Sequence, residues 1–542
     1  MARSSAVGPG RSGGWLLAGL AVLVLGAGLG GARRLSYHEA IVAQGARELL
    51  APGGDWLEPT IGGRPWLEKP PLSHWMAALA GWALGGVDEA AARLPSALAA
   101  GMLAMVVAGL AGRHFGPSAG LLAGACQVTA SWSILRGRLA DADMVLALLV
   151  AASIAAFDRL RGPDGPAISR WRWAFFLLLG GTSLAKGVGF GAALATAAIL
   201  AVLLWDRDAK AIRRLAWPTG WAAAALVALA WPLAIAGRHP EAVGLWLGHV
   251  SDRLAAEPTT FAGEPLGTFL LSPMLQALPW TPLALVGSWQ SFGRARRAPG
   301  GLDRLLWAWA VVPTAMLCLA SVRNDHYLIH AMPPWSIWAG LGLARLGDRL
   351  RSRRGWSAGL LRRGAIGLFG AIGAGVAIVH VAVVPRFEDR GREWSWYAEA
   401  SLLVPPEEPL VLLYDWDGPD PWDRLPYPTP FGPVPHDLAV RLFYLDRPAS
   451  WRNGPGLLAE DPPSSRPFAV IGRERDLPAL RLLGTVEERS RGPDHRWDRS
   501  FALFRVIPEA DQDARQPKHP RTGRQADPGH RTDRPEGTRR PA

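Results

Sequence analysis

The chain has 542 residues, of which 49% are hydrophobic, and its formal net charge at pH 7 is +12. The apolar residues are gathered in runs of roughly 18 to 20, the length that crosses a bilayer, rather than spaced as in a soluble core. No basic patch interleaved with aromatic residues lies on a soluble face, so no nucleic-acid partner is predicted. The two cysteines, Cys126 and Cys318, lie inside apolar runs, which excludes a disulfide framework and a thiolate metal site.

Eleven apolar runs predict a polytopic α-helical membrane protein. They lie near residues 15–31, 94–112, 118–135, 142–157, 173–185, 188–205, 215–236, 268–290, 304–321, 327–345 and 364–384. If the N-terminus is cytoplasmic, the short inner loops carry about three times as many Lys and Arg residues as the short outer loops. This asymmetry predicts a multi-pass protein of the inner (plasma) membrane. It also explains most of the net charge, since basic inner loops lie against anionic membrane lipid.

Three regions are predicted along the chain. Residues 1–385 form a transmembrane domain, and its outer loop, 32–93, is the proposed catalytic loop. Residues 386–508 form a small soluble α/β domain outside the cytoplasm. Its strands are expected at 411–415, 468–472 and 501–506, with a short helix at 477–483. Residues 509–542 contain almost no apolar residues and are predicted to form a disordered tail.

The longest polar interruption before residue 158 lies at residues 37–75, directly after the first apolar run. Charged residues beside a bilayer are costly unless they are paired or used, so this loop is expected to be a site. It contains, in order, the strings HEA, ARELL, GDWLEP and LEKPPLSHW. This order resembles the first outer loop of the GT-C-type lipid-linked-sugar glycosyltransferases, a family that includes the aminoarabinose transferase of lipid A and the protein O-mannosyltransferases. The sequence departs from the family pattern at His38, which stands where the family has an aspartate.

Weaker resemblances to the same family follow later in the chain. The strings are RGRLADADM at 136–144, SLAKGVGF at 183–190, LPWTPL at 278–283 and RNDHYLIHAMPP at 323–334. The resemblance implies transfer of a sugar from a polyprenyl-phosphate donor to lipid A, a protein or another glycan at the outer face of the membrane. Two other interpretations stay open, namely a lipid-sugar transporter or flippase and a catalytically silent member of the same fold.

Sugar transfer of this kind needs a group that activates the acceptor oxygen and cations that stabilise the departing lipid phosphate. Glu39 is the first candidate base, although Ser36 and Glu39 also form a capping-box pattern, in which Glu39 only bonds the Ser36 amide. His38 is the second candidate, because imidazole accepts a proton near neutral pH. Asp143 is the third; with Asp141 it could bind the acceptor or a divalent ion, or it could simply cap the fourth span. No cofactor is assigned, and a divalent metal ion stays open.

Phosphate binding is predicted for Lys69, which follows Glu68 and precedes two prolines that stiffen the chain. The alternatives are a salt bridge between Lys69 and Glu68, or a lysine that extends to lipid headgroups. Further residues in family-like strings are also assigned to substrate binding: Glu68, Arg47, Lys186, Arg323 and Tyr327. The two basic residues at outer helix ends, Lys186 and Arg323, could instead only anchor their helices.

Overall fold

The structure is a computed structural model that describes residues 11–254, 263–387, 391–414, 437–445, 447–460, 463–493 and 501–508. The predicted disordered tail, 509–542, lies outside these residues, as do parts of the predicted soluble domain. Most of the described chain up to residue 386 is helical.

The α-helices before the soluble domain are α1 (Arg11–Ala21), α2 (Tyr37–Leu50), α3 (Leu72–Leu84), α4 (Glu89–Phe115), α5 (Pro117–Thr129), α6 (Ser131–Arg136), α7 (Asp143–Leu160), α8 (Ile168–Lys186), α9 (Phe190–Asp206), α10 (Ala209–Leu215), α11 (Pro218–Arg238), α12 (Glu241–Leu254), α13 (Leu266–Gln276), α14 (Thr281–Arg297), α15 (Leu302–Cys318), α16 (Pro333–Arg354) and α17 (Ala358–Ile378). Short π-helical segments follow α1 at Val22–Gly26 and α17 at Val379–Val383. Short 3-10 helices lie at Asp325–Ala331 and Val384–Arg386.

Each predicted span overlaps one of these helices or a pair of helices separated by a short break. Among the described helices, three are long and apolar enough to cross a membrane on their own: Glu89–Phe115, Pro218–Arg238 and Ala358–Arg386. A fourth is added if α13 and α14, which are bent by 98°, count as one broken span. The count of eleven spans therefore stays a prediction.

Small residues let the helices approach one another closely. Gly120 of α5 lies against α4, where a Cβ atom would come within 2.7 Å of the Gly112 Cα. Gly340 of α16 lies against α5, where a Cβ atom would come within 2.5 Å of the Ala123 nitrogen. Such contacts are typical of membrane helices, whose association depends on close packing. This packing fixes which helix ends meet at each end of the bundle.

The outer loop is a folded unit of two helices and a hairpin. α2 and α3 pack together at Gly45, where a Cβ atom would lie 2.4 Å from the His74 ring. The hairpin pairs β1 (Thr60–Ile61) with β2 (Arg64–Pro65). Glu48 of α2 accepts hydrogen bonds from two main-chain amides of the hairpin, at 2.7 and 3.2 Å. The loop is thus tied together by its own side chains.

The soluble domain contains a five-stranded mixed sheet. Its strands are β3 (Leu410–Tyr414), β4 (Ser450–Asn453), β5 (Phe468–Arg473), β6 (Gly484–Arg491) and β7 (Phe501–Pro508), in the spatial order β4-β3-β5-β7-β6. Its helices are α18 (Gly391–Leu402), α19 (Leu438–Tyr444), α20 (Gly454–Glu460) and α21 (Leu477–Arg481), with a 3-10 turn at Glu474–Asp476. β3 runs parallel to β4 and β5, whereas β7 is antiparallel to β5 and β6.

The sequence predicts the three central strands and misses the two at the edges. The three central strands, β3, β5 and β7, are almost wholly buried. Their sequences are therefore short apolar runs, which predict buried strands. β4 and β6 lie at the two edges of the sheet and carry polar and charged side chains that are partly exposed. Charged edge strands lack the apolar pattern by which a strand is identified, and they protect the sheet from pairing with other chains.

The soluble domain lies directly on the outer loop. One apolar cluster contains buried residues of both regions, among them Ala43 and Leu49 of α2 with Tyr397 and Phe443 of the soluble domain. The soluble domain therefore shares part of its core with the outer loop.

Candidate functional site

Three helix ends meet at the end of the bundle that carries the outer loop. They are the N-terminus of α7 at Asp143, the C-terminus of α8 at Lys186 and the 3-10 helix that contains Tyr327. The Lys186 ammonium donates a hydrogen bond to the Asp143 carboxylate and lies 4.7 Å from the centroid of the Tyr327 ring. The structure thus brings together three residues that the sequence singles out in three distant strings.

Two more charged residues complete this polar cluster, which consists of Arg136, Asp141, Asp143, Lys186 and Tyr327. Arg136 Nη1 lies 3.4 Å from Asp141 Oδ2 and 3.7 Å from Asp143 Oδ2. The main-chain amide of Asp143 donates to Asp141 Oδ1 at 3.0 Å. The side chains of Lys186 and Asp143 are both less than one tenth exposed. This buried lysine and carboxylate form a charge-assisted pair.

Burial and neighbouring charges perturb the titratable groups around the cluster. Burial, together with the charge of Asp143, raises the pKa of Asp141 to about 7. Burial, together with the positive charge of Lys186, lowers the pKa of His326 to about 3, so this histidine is neutral at pH 7. Groups perturbed in this way are concentrated at functional sites, although structural ion pairs produce similar shifts.

Lys69 approaches the same cluster from the outer loop. Its charge contributes to the lowered pKa of His326, and its ammonium lies 3.6 Å from the Glu68 carboxylate. The Lys69 side chain is 39% exposed, whereas Lys186 is buried. The two predicted phosphate-binding lysines therefore lie on one side of the bundle, one accessible and one deeper.

Glu39 is buried and surrounded by hydrogen-bond donors. Its Oε1 accepts from Arg93 Nε at 2.8 Å and from the Ala140 amide at 3.2 Å. Its Oε2 lies 2.7 Å from Arg33 Nη1 and accepts from the Ser36 amide at 2.9 Å. Burial by itself would raise the pKa of Glu39, but Arg93 and Arg33 lower it to about 2. These contacts fit the capping interpretation, and the catalytic role of Glu39 stays a prediction.

Arg47 docks the soluble domain, and its assignment to substrate binding stays a prediction. Its Nη1 donates to the Phe443 carbonyl at 2.6 Å and its Nη2 donates to the Val87 carbonyl at 3.0 Å. The guanidinium carbon also lies 4.2 Å from the centroid of the Phe443 ring. Because Phe443 lies 396 positions further along the chain, no local pattern could reveal this partner.

Arg323 holds a connecting segment in place. Its Nη1 donates to the Ala320 carbonyl at 2.6 Å and its Nε donates to the Glu264 carbonyl at 3.2 Å. These bonds join the residues before α13 to the end of α15. These hydrogen bonds give Arg323 a structural role that needs no substrate. Phosphate binding by Arg323 stays a prediction.

His38 lies in the first turn of α2, immediately before Glu39. It is exposed, and its ring centroid lies 3.8 Å from that of Tyr37. An exposed imidazole on the outer loop is accessible to an acceptor. Its catalytic role stays a prediction.

Two arginines of the site were not singled out from the sequence. Arg136 begins the family-like string before α7, but only its contacts reveal that it serves two carboxylates. Arg93 lies in the apolar string ARLPSALAA of α4, is 2% exposed and donates to the Leu29 carbonyl as well as to Glu39. A charged residue in such an apolar run is the signal that could have found it. Within the described ranges, no group of three or more His, Cys, Asp or Glu side chains could hold a metal ion.

The sequence is similar to known transferases of lipid-linked sugars. Residues 43–247 match the family model for dolichyl-phosphate-mannose-protein mannosyltransferase. The chain is 29% identical over 307 residues to the undecaprenyl phosphate-alpha-4-amino-4-deoxy-L-arabinose arabinosyl transferase of Edwardsiella ictaluri, covering 55% of this chain and 53% of that protein. It is 30% identical over 351 residues to transferase 1 of the same name from Sodalis glossinidius, covering 58% and 56%. The chain thus spans about half the length of the curated relatives it matches.

The fold has a solved counterpart. The crystal structure of ArnT from Cupriavidus metallidurans bound to undecaprenyl phosphate matches with a TM-score of 0.70 and 20% identity, covering 91% of this chain and 98% of that one. This likeness, with the apolar bundle and the polar cluster at one end, defines a helical membrane protein of the GT-C fold. The chain resembles the GT-C-type lipid-linked-sugar glycosyltransferases, as the strings of the outer loop predict.

Proposed function

We propose that the protein transfers a sugar from a polyprenyl-phosphate donor to an acceptor at the outer face of the inner membrane. The observation that carries this proposal is the contact of Lys186 with Asp143 and Tyr327, on the side of the bundle where Lys69 also lies. The names of the relatives make undecaprenyl-phosphate 4-amino-4-deoxy-L-arabinose the first donor to test. Lipid A is the first acceptor to test, and a protein or another glycan is the alternative.

The two lysines suit a phosphate that changes its charge during the reaction. Lys69, accessible on the outer loop, meets the phosphate of the arriving donor. Lys186, which is buried and paired with Asp143, stabilises the negative charge that the phosphate gains as the sugar leaves. Hydrogen bonds between an ammonium and a phosphate are charge-assisted and stronger than neutral ones. The polyprenyl tail remains in the bilayer while its phosphate lies at headgroup level.

The reaction exchanges one carbon–oxygen bond for another. The bond between the anomeric carbon and the phosphate oxygen breaks, and its electron pair leaves with the lipid phosphate. The acceptor oxygen bonds the anomeric carbon, and its proton passes to a base of the protein. We assign this proton transfer to Asp143, with His38 as the second candidate. A phosphate that competes for Lys186 weakens the Lys186–Asp143 pair and leaves the Asp143 carboxylate available to the acceptor, so donor binding prepares the base.

We also propose that residues 1–385 cross the membrane eleven times with the N-terminus in the cytoplasm, and that residues 386–508 lie outside it. The supporting contacts are ion pairs at the bundle end opposite the outer loop. Arg113 Nη1 lies 3.0 Å from Asp158 Oδ2, and Arg304 Nη1 lies 2.6 Å from Asp206 Oδ1. This end also carries most of the basic loops, as expected for the cytoplasmic side.

Transfer by the purified protein in lipid vesicles tests the function. The donor is undecaprenyl-phosphate aminoarabinose, the acceptor is lipid A, and the readout is the mass gain of lipid A. The wild-type protein should transfer the sugar, whereas Lys69→Met and Lys186→Met should lose most transfer at unchanged membrane abundance. Asp143→Asn should lower the rate by roughly 100- to 10,000-fold, the usual loss for a general base.

Lys210→Met is the matched control for the lysine variants. Lys210 also pairs with a carboxylate, Asp164, at 2.9 Å, but at the opposite end of the bundle. The Lys210→Met variant should transfer the sugar at the wild-type rate. Two results would contradict the proposal: no transfer by the wild-type protein from any polyprenyl-phosphate sugar would favour a silent member, and movement of the donor between leaflets without transfer would favour a flippase.

A further inference from the structure

The chain around Lys69 is held from both sides. Two residues before Lys69, the carbonyl of buried Leu67 accepts a hydrogen bond from Trp246 Nε1 at 2.7 Å. Two residues after it, the carbonyl of Pro71 accepts a helical bond from the Trp75 amide at 2.9 Å. Both prolines that follow Lys69 are buried and restrict the backbone. A segment this short, fixed at both ends, determines where the Lys69 side chain begins.

The helix that carries Trp246 contacts the outer loop on one face. α12 follows the outer end of α11, and its buried Ala242 belongs to the same apolar cluster as Leu67 and Trp231. The adjoining face exposes three apolar side chains: Val243, Leu247 and Val250. An amphipathic helix at the end of a membrane bundle, with an exposed apolar stripe, is expected to lie in the lipid interface. α12 therefore joins the membrane surface to the segment before Lys69.

We propose that Trp246 is a positioning residue for Lys69. Through the hydrogen bond to the Leu67 carbonyl, α12 holds the Glu68–Lys69 turn at the depth of the lipid phosphate. The ligand is a polyprenyl phosphate, whose tail and phosphate divide between the bilayer and the loop. This inference rests on the proposed function, in which Lys69 binds that phosphate.

A second tryptophan provides a matched control. Trp231 Nε1 donates to the Leu57 carbonyl at 2.8 Å, and the ring centroids of Trp231 and Trp246 lie 5.5 Å apart. The two indoles thus share one packing environment and make the same kind of bond to the same loop. They differ in which carbonyl they hold, since Leu57 lies far from Lys69 along the chain. Phenylalanine at either position keeps an aromatic ring and removes the N–H.

The test is the affinity of the purified full-length variants for undecaprenyl phosphate, measured by titration in native mass spectrometry. Trp246→Phe should raise the dissociation constant by roughly three- to tenfold, the usual effect of one lost hydrogen bond. Trp231→Phe should change it by roughly twofold or less. If Trp246 acts through Lys69, Trp246→Phe should add roughly twofold or less in a Lys69→Gln background, because coupled residues are not additive.

Two results would overturn the inference while leaving the proposed function intact. One is an equal loss of affinity in Trp246→Phe and Trp231→Phe, which would indicate general loosening of the loop. The other is full additivity of Trp246→Phe with Lys69→Gln, which would mean that Trp246 acts elsewhere. Failure of the wild-type protein to bind undecaprenyl phosphate would instead remove the proposed function and this inference together.

Discussion

The charged residues of the outer loop fall into two groups, those whose hydrogen bonds are made by other protein groups and those that remain partly exposed. Glu39 is enclosed by Arg93 and Arg33, and Arg47 is bonded to main-chain carbonyls of other segments. Lys69 has a carboxylate neighbour at 3.6 Å and remains partly exposed. A buried group that is fully hydrogen-bonded cannot exchange its partners for a substrate without a desolvation cost, whereas an accessible ammonium can.

Glu39→Gln should destabilise the protein more than it impairs catalysis. The substitution leaves the Arg93 guanidinium, which is 2% exposed, without its anionic partner. Breaking a buried ion pair from one side typically costs about 3 to 5 kcal/mol. We expect a lower thermal unfolding midpoint, measured on the purified protein, and a lower abundance, measured in the membrane fraction.

Glu89→Gln is the control for this prediction. Its carboxylate also pairs with an arginine, Arg34, at 3.3 Å, but the arginine side chain is 37% exposed. Partly exposed pairs contribute little, so this variant should unfold close to the wild-type midpoint. If Glu39→Gln keeps the wild-type unfolding midpoint but loses sugar transfer, the result would support Glu39 as the catalytic base.

Asp141→Asn should change how stability depends on pH. The pKa of Asp141 is raised by burial and by Asp143 to about 7, above the value of about 3.9 expected in the unfolded chain. The native state therefore binds the proton more tightly, and this contribution to stability is lost as the pH rises through the folded pKa. Relative to wild type, Asp141→Asn should gain stability between about pH 4 and pH 8, measured as the difference in unfolding midpoints.

Asp55→Asn provides a control of opposite sign. The hydrogen bond from Arg238 lowers the pKa of Asp55, so any stability it contributes is lost as the pH falls. Asp55 is exposed, and its effect should be small. A pH-independent difference between Asp141→Asn and wild type would contradict the interpretation of Asp141.

At the scale of elements, α2 joins three parts of the protein. Its N-terminal turn is bonded to Arg93 of α4 through Glu39, and its last turn is bonded to α19 of the soluble domain through Arg47. Glu48, the residue after Arg47, holds the hairpin. The soluble domain therefore supports the loop from which Lys69 extends, without contributing a residue to the polar cluster within the described ranges.

Arg47→Ala should loosen the soluble domain. The variant loses hydrogen bonds to the Phe443 and Val87 carbonyls, and bonds from a charged donor contribute about 1.5 to 3 kcal/mol each. We expect faster proteolysis of the soluble domain and a lower unfolding midpoint. Arg489→Ala is the control, because Arg489 pairs with Glu487 on the exposed edge strand β6 and should have little effect. If Arg47→Ala loses undecaprenyl phosphate binding but keeps normal protease resistance, the result would support the predicted substrate-binding role of Arg47.

At the scale of the whole molecule, the bundle has a carboxylate–lysine cluster at one end and most of the basic loops at the other. The proposed orientation predicts that reporters fused after Ala400 or inserted within residues 55–64 are extracytoplasmic. Reporters within 207–214 and 351–363 should be cytoplasmic, because these loops carry the arginines expected on the inner side. A cytoplasmic signal from the soluble domain would contradict the count of eleven spans.

The sequence by itself determined where the helices and the central strands lie. Membrane-length apolar runs form helices because their backbone groups must be satisfied locally, and α2 and α3 end at glycine and proline signals. The strings of the outer loop also indicated the family resemblance and Lys69, and the later strings indicated Asp143, Lys186 and Tyr327. These features are local, so a single stretch of chain is enough to reveal them.

Only the tertiary structure decided which charged residues meet. Each of the contacts joins residues that are far apart in the sequence. Lys186 and Asp143 are 43 positions apart, Glu39 and Arg93 are 54 apart, and Arg47 and Phe443 are 396 apart. The same residue types in the same strings would fit either a catalytic or a structural role. The choice depends on which helix ends pack together, and that is set by close contacts between distant helices, such as Gly340 against Ala123, rather than by any pattern along one segment.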